Sequence, residues 1–416
     1  MAKKHEFGLQ TKLIHAESRP CRCSSDVPNP HAEPIYRTTS WKFTSAEQIR
    51  KAFANEVKMD FYSRASNPNH RTLEKKLAIL EGAEAVQTFN NGTMAIVVML
   101  MKLLDAGDEI IAHKSLYGGT YQELKDLMRS SGKTVTFVDA RNVENVLAAI
   151  TPRTKLILIE TPSNPTLDII DFPRIKSRLL KMGREDILLA VDSTFATPYN
   201  LKPLLHGADL VIHSNTKYLN GFGVDLGGCI ATSKAIYEKI WQRYTGFGCM
   251  NSEIAWQSSI SLKTFCLRME RHNYNGACVA SHLFYKDCVK KVYYPSLLDH
   301  PNHNVAARLM GPYAHDGLFR YGGMVSFEIN GGTKEVEKFL NRLARDKERE
   351  RGIITHCVSL GTVDTLVCCP ALSTHYHVPK KERAIQGVSD TLIRLSVGIE
   401  DAEDIIDSLE RGFEAI

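Results

Sequence analysis

The sequence has no apolar run near the roughly 18–20 residues that a helix needs to span a bilayer. Its first residues, Met1-Ala2-Lys3-Lys4-His5-Glu6, lack the apolar stretch of a secretory signal. Ten cysteines are present but no CxxC: Cys21 and Cys23 are one residue apart, and Cys368 and Cys369 are adjacent. Zinc or dithiol redox chemistry therefore finds no ligand spacing, and no metal is expected. Charge is nearly balanced, with 52 basic against 47 acidic residues and a net charge of +5. No basic stripe interleaved with aromatics occurs, so no nucleic-acid partner is expected. The densest charged run, Arg345 to Arg351, alternates in sign and reads as a solvated helix face. Repeats and low-complexity tracts are missing too, which excludes a solenoid or a disordered scaffold. A globular protein of the reducing cytoplasm fits these absences.

What is present is an alternation. The first 70 residues are irregular and rich in Pro, Ser, Asn and His, including Asp26-Val27-Pro28-Asn29-Pro30. An arm of this kind is either disordered or laid across a partner. From Arg71, helical spacing (Leu73, Leu77, Leu80, then Met94 to Leu104) alternates with short apolar strands. The strands are Glu109–Ala112, Thr134–Val138, Leu156–Ile159, Ile187–Val191, Leu210–His213 and Gly228–Ala231. This pattern predicts an α/β fold with a mostly parallel central sheet covered on both faces. After about residue 265 the texture changes to one or two long helices over Phe265–Val289, an alternating and half-exposed strand at Gly323–Ile329, and a closing helix from Asp401-Ala402 to Phe413. The expected division is an arm over 1–70, a large domain over 71–265 and a smaller C-terminal α+β domain over 266–416.

In an open α/β sheet, ligands sit beyond the carboxyl ends of the strands, and three such ends carry polar residues. Ala190-Val191-Asp192-Ser193-Thr194 puts a carboxylate where burial is costly without a cation. A protonated pyridine nitrogen would serve, and so would an ordinary turn. His213-Ser214-Asn215-Thr216-Lys217 puts a lysine past a buried strand between hydroxyls, suited to a Schiff base beside a phosphate but equally to a surface lysine. Asn90-Asn91-Gly92-Thr93 opens an apolar helix whose first N–H groups could hold an anion or merely be capped.

Together, in this order, the three segments resemble those of the cystathionine and methionine metabolism family of pyridoxal-phosphate enzymes. The resemblance runs from Tyr62 to the C-terminal helix. It is carried by Tyr62-Ser63-Arg64 with Asn67-Pro68, Leu116-Tyr117-Gly118-Gly119-Thr120, Glu160-Thr161-Pro162-Ser163-Asn164-Pro165, Asp192-Ser193-Thr194-Phe195, Ser214-Asn215-Thr216-Lys217-Tyr218 and Arg394-Leu395-Ser396-Val397-Gly398-Ile399-Glu400. It implies the aspartate-aminotransferase type I fold and pyridoxal 5'-phosphate as cofactor. By the same resemblance Lys217 holds the cofactor and later moves protons, Asp192 pairs with the pyridine nitrogen, and Tyr117 stacks on the ring and serves in acid–base work near the leaving group. Gly92, Thr93, Ser214 and Thr216 would hold the phosphate, and Tyr62 and Arg64 would reach the phosphate of a neighbouring subunit. That arrangement implies a homotetramer built from dimers that share active sites. Arg394 would grip the substrate carboxylate, assisted by Ser359 and Asn164.

The chain departs from the family pattern in places. The usual Gly-His-Ser-Asp-Val-like run is Gly221-Phe222-Gly223-Val224-Asp225 here, Asn91 replaces a serine, and Ser193 replaces an asparagine. Val358 and Gln122 stand where cystathionine-binding relatives often carry glutamate and arginine, and a charged substrate end facing valine would go unpaired. The expected activity is γ-elimination from a small sulfur-containing or activated homoserine-type L-amino acid. It would give a 2-oxo acid and ammonia through a vinylglycine-type intermediate. The cysteine typical of methionine γ-lyases is replaced by Gly119. Other readings of the same residues are a γ-replacement synthase joining an acylated homoserine to a thiol, and a specialised enzyme with an unusual γ-leaving group. A β-lyase or racemase, and a catalytically silent protein of the same fold, are further rivals.

Overall fold

In the computed structural model, residues 7–16, 30–54, 56–57, 59–241, 246–310, 320–348 and 352–416 are described. Seven strands form the first sheet: β1 (Ala85–Phe89), β2 (Glu109–His113), β3 (Thr134–Val138), β4 (Thr154–Glu160), β5 (Leu188–Asp192), β6 (Leu210–His213) and β7 (Gly228–Thr232). Their order is β1-β7-β6-β5-β4-β2-β3. Strands β2 to β6 pair in parallel, and β7 runs antiparallel to both β6 and β1. The strand period of two divides each strand between two cores. On β4, Ile157 and Ile159 join Leu73, Val191 and Phe265 in one apolar cluster, while Leu156 and Leu158 join Ala95, Ile110 and Ile212 in another. Helices cover both faces, as the expectation of a mostly parallel sheet required.

The second sheet has five strands: β8 (Val289–Tyr293), β9 (Met324–Ile329), β10 (Thr355–His356), β11 (Leu366–Cys368) and β12 (Leu392–Ser396), in the order β10-β11-β12-β9-β8. Alternation on β12 decides the site. Ile393, Leu395 and Val397 enter the core of this sheet, so Arg394 and Ser396 face the other way. On the neighbouring β9, Ser326 lies opposite Arg394 in register and donates to the carbonyl of Pro165 at 2.7 Å, which ties this face to the loop after β4.

Several local expectations change. The first 70 residues are not wholly irregular: helices form at Leu9–His15 and Ala46–Phe53, the second capped by the Ser45 hydroxyl accepting from Gln48 N–H at 3.1 Å. Leu13 is fully buried among Leu73 and Leu77 of the same chain, so this part of the arm is packed onto its own core. Most of Asp26–Pro30 lies outside the described residues. The helix from Phe265 ends at Phe284, and Val289 begins a strand that pairs with β9. Strand β9 is buried along its whole length because β8 and β12 flank it and the loop after β4 covers its second face. Within the charged run, Asp346 is not solvated: it is buried and accepts from Arg342 Nε at 2.9 Å. Residues 349–351 of that run lie outside the described residues. None of the described helices is long and apolar enough to cross a membrane.

Candidate active site

Strands β4, β5 and β6 end side by side, and the register places Glu160 opposite Asp192 and Asp192 opposite Ile212. Just beyond β6 the chain turns, with Lys217 N–H donating to the carbonyl of Ser214 at 3.2 Å. The Lys217 amine reaches the Ser359 hydroxyl at 3.2 Å. Burial pushes this amine down to about 8 from its usual 10.5, and the nearby Arg394 guanidinium adds to the shift. It is therefore a lysine poised to lose its proton, which an exposed lysine is not.

Arg394, only 2% exposed, donates to Asn164 Oδ1 at 3.2 Å and to the carbonyls of Val358 and Ser359 at 3.0 and 3.2 Å. Among the described residues its Nε has no hydrogen-bond partner. Lys217, Ser359, Arg394 and Asn164 thus form one connected group, although they lie up to 230 residues apart in sequence.

Asp192 Oδ1 accepts from the N–H of Thr194 at 3.0 Å and from its hydroxyl at 2.6 Å. Burial raises its pKa. The Thr194 hydroxyl also accepts from Ser214 N–H at 2.9 Å, so Thr194 holds the ends of β5 and β6 together. Sequence reasoning gave Thr194 no role.

Gly92 begins the helix Gly92–Leu103, capped by Asn91 Oδ1 accepting from Met94 N–H at 2.7 Å. A Cβ at residue 92 would stand 2.8 Å from the Ser214 Cβ, so only glycine brings this helix start against Ser214. Thr93 follows in the same first turn. The Thr216 hydroxyl is bonded to Gly227, accepting from its N–H at 3.0 Å.

Tyr117 precedes the helix Gly118–Ser130 and is 44% exposed. Its ring covers Gly119, where a Cβ would come 2.5 Å from the ring. Gln122 is tied to its own helix through Asp126 at 2.8 Å. Tyr62 and Arg64 are joined to each other, with the guanidinium 4.8 Å from the ring centroid. Among the described residues no hydrogen bond joins either of them to the Lys217 group. Phe222 is stacked by the buried Arg268 at 5.3 Å.

Glu160 belongs to a motif quoted above but had no role assigned. It ends an apolar strand just as Asp192 does, and that signal could have singled it out. Burial, with the Asp192 charge second, drives its pKa well above the carboxylate range.

A phosphorylated aldehyde with a basic ring nitrogen fits this set. A half-buried amine can condense with the aldehyde, and a half-buried carboxylate can face the nitrogen. The glycine-lined start of the helix at Gly92, held against Ser214, can take a phosphate. Comparison with known proteins agrees. The model of the Cys/Met metabolism PLP-dependent enzymes matches residues 10–414. The chain is 38% identical over 416 residues to an L-methionine gamma-lyase of Fusobacterium nucleatum subsp. polymorphum, covering 99% of each chain. It is 37% identical to a cystathionine gamma-lyase of Bos taurus, covering 97% of this chain and 93% of that one. The crystal structure of cystathionine gamma-lyase from Lactobacillus plantarum complexed with L-serine superposes with a TM-score of 0.85 at 35% identity, covering 99% of both chains. The chain belongs to the Cys/Met metabolism family of PLP-dependent enzymes, and its cofactor is pyridoxal phosphate.

Proposed function

We propose that this enzyme carries out γ-elimination on a small sulfur-containing or activated homoserine-type L-amino acid, releasing a 2-oxo acid and ammonia. The observation that carries the reading is the half-buried Lys217 amine, lowered to about 8, in one hydrogen-bonded group with Ser359, Asn164 and Arg394. Proton transfer at adjacent carbons needs such a base within reach of a fixed carboxylate anchor. The cofactor supplies, when bound, an electron sink conjugated to the substrate's α-carbon.

The chain's own residues do the rest. Arg394, held planar by Asn164 and two backbone carbonyls, grips the substrate carboxylate. Lys217 takes the α-proton and then moves a proton at the β-carbon, which frees the γ-substituent to depart. Ser359 orients the Lys217 amine. Asp192, fixed by Thr194, keeps the ring nitrogen protonated. Tyr117 would stack on the cofactor ring when it is bound, and it protonates the leaving sulfur or oxygen. Gly92, Thr93, Ser214 and Thr216 bind the phosphate, Thr216 sharing its hydroxyl with Gly227. Val358, 57% exposed, presents an apolar side chain and favours a short, uncharged γ-substituent.

Tyr62 and Arg64 meet the phosphate of a neighbouring subunit. Among the described residues neither makes a hydrogen bond to the Lys217 group of its own chain, which favours this reading and with it a homotetramer of site-sharing dimers. The working division is an arm over 1–70, a cofactor domain over 71–265 and a small domain over 266–416, acting in the cytoplasm.

The test is a panel of L-methionine, L-cystathionine, L-homocysteine and O-acetyl-L-homoserine, each with and without added thiol. Release of 2-oxobutanoate without thiol is the expected result. A new thioether formed only with thiol would make the enzyme a γ-replacement synthase instead. Silence on all four would move the reading to an unusual leaving group.

A further inference from the structure

One buried carboxylate stands between the two sides of the site. Glu160, 5% exposed, accepts from the backbone N–H of Tyr117 through Oε2 and from that of Asn164 through Oε1, each at 2.8 Å. Asn164 in turn accepts from Arg394 through its side chain at 3.2 Å. A single rigid group therefore sets both the start of the helix that carries Tyr117 and the loop that touches Arg394. The second oxygen matters. A glutamine has one acceptor, and its amide hydrogens would face an N–H donor at the other end.

The position is an expensive one for a carboxylate. Glu160 lies opposite Asp192 in the register of β4 and β5, Glu160 buried and Asp192 half-buried. Two backbone N–H bonds and the nearby Arg394 charge offset part of that cost. A merely structural link between loop and helix would not require a second carboxyl group beside Asp192.

We propose that Glu160 is a positioning residue that locks Tyr117 and the Asn164–Arg394 pair into one register, so that the grip on the substrate carboxylate and the placement of Tyr117 are set together. The roles of Arg394 and Tyr117 in this proposal rest on the γ-elimination reading. The coupling itself does not depend on which γ-substituent leaves.

The experiment uses purified holoenzyme and glycine, an amino acid with no γ-carbon. Glycine binding is followed by the visible absorbance of the bound cofactor. Exchange of the glycine α-hydrogen with solvent is followed by NMR. Glu160→Gln keeps side-chain length and loses one acceptor, whereas Glu160→Asp keeps the carboxyl group and loses reach. The expected result is at least a tenfold weaker glycine Kd and at least tenfold slower exchange in both, with thermal unfolding and bound cofactor retained. In an Asn164→Ala background the further effect of Glu160→Gln on the glycine Kd shrinks below about twofold, because in that readout both residues act on Arg394 along one path. Multiplying effects, or a Glu160→Gln enzyme within twofold of wild type in both readouts, overturn the proposal. Should neither Glu160 variant fold, Asn164→Ala combined with Tyr117→Phe tests the same path. Less-than-multiplicative losses then support it, and multiplicative losses overturn it. A wild-type enzyme that answers glycine but none of the γ-substituted substrates removes the γ-elimination reading and leaves the role of Glu160 standing.

Discussion

The amine of Lys217 and the hydroxyl of Ser359 lie 3.2 Å apart, 142 residues distant in sequence and on opposite sides of the site. The hydroxyl accepts from the amine, while the carbonyl of the same serine accepts from Arg394. One residue therefore orients the Lys217 amine and steadies the Arg394 guanidinium.

Replacing Ser359 by alanine removes the first contact and keeps the second, since the carbonyl remains. A lost bond to a charged group is worth about 1.5–3 kcal/mol. The expected Ser359→Ala enzyme keeps its bound cofactor and its KM within a few-fold, and loses roughly 10- to 100-fold in kcat. Steady-state kinetics with the best substrate of the panel checks this. A loss confined to KM would mean that Ser359 serves binding alone.

The depressed Lys217 amine makes a prediction about the protein freed of cofactor. Between about 8 and 10.5 the unfolded chain keeps this proton while the folded chain has released it, so the unfolded state binds more protons and stability rises with pH. Below about 8 both states are protonated and the burial cost is felt in full. Lys217→Met, which carries no charge, should make the cofactor-free protein more stable than wild type near pH 7, by roughly 3 kcal/mol at most. That gap should close as the pH approaches about 10. Urea unfolding of the two cofactor-free proteins across this range is the measurement. A gap that stays constant with pH would show that Lys217 is not the titrating group.

Gly92→Ala puts a Cβ against the Cβ of Ser214 at 2.8 Å, and neither the helix start nor the end of β6 can retreat without breaking its cap or its sheet bonds. Overpacking of this kind costs about 1–3 kcal/mol. The expected effect falls on cofactor affinity, with Kd for pyridoxal phosphate weakened about tenfold or more and little change in secondary structure. Titration of the cofactor-free variant, followed by visible absorbance, reads it directly. Unchanged affinity would remove this helix start from the phosphate site.

Much of this arrangement is legible in the sequence because it is local. Thr134–Val138 and Leu210–His213 are strands with the bounds that their apolar runs predict, and Asp192 stands out as a carboxylate closing one such run. What escapes is what depends on distant partners. β1 is a strand because β7, more than 140 residues later, pairs with it, and its own sequence Ala85-Val86-Gln87-Thr88-Phe89 carries little signal. Met324–Ile329 alternates like a half-exposed strand, yet its polar residues are covered: Ser326 meets Pro165, and Glu328 meets Lys290 and Tyr293. Thr194 is not legible because its hydrogen bonds run between strand ends, where no periodicity points. Glu160 closes an apolar run, and only its loop partners, the N–H groups of Tyr117 and Asn164, are hidden.

Arg268 supplies the strongest stability prediction. It is 4% exposed on the helix Phe265–Phe284 and donates to the carbonyls of Tyr218 at 2.7 Å, Leu219 at 3.3 Å and Ser261 at 3.2 Å. The first two follow Lys217 directly, so this one guanidinium holds the turn that carries Lys217. Burial lowers its pKa to about 10, a sign of how much desolvation these carbonyls must offset. Arg268→Leu fills similar volume but leaves three buried acceptors short of a donor, at about 1–3 kcal/mol each before relaxation. A destabilisation of about 3 kcal/mol or more is expected in urea unfolding, with slower catalysis because the Lys217 turn loosens. Arg268→Lys should recover only part of both losses, since a single ammonium cannot reproduce the planar fork. If Arg268→Lys behaves as wild type, the charge and not the fork holds the turn.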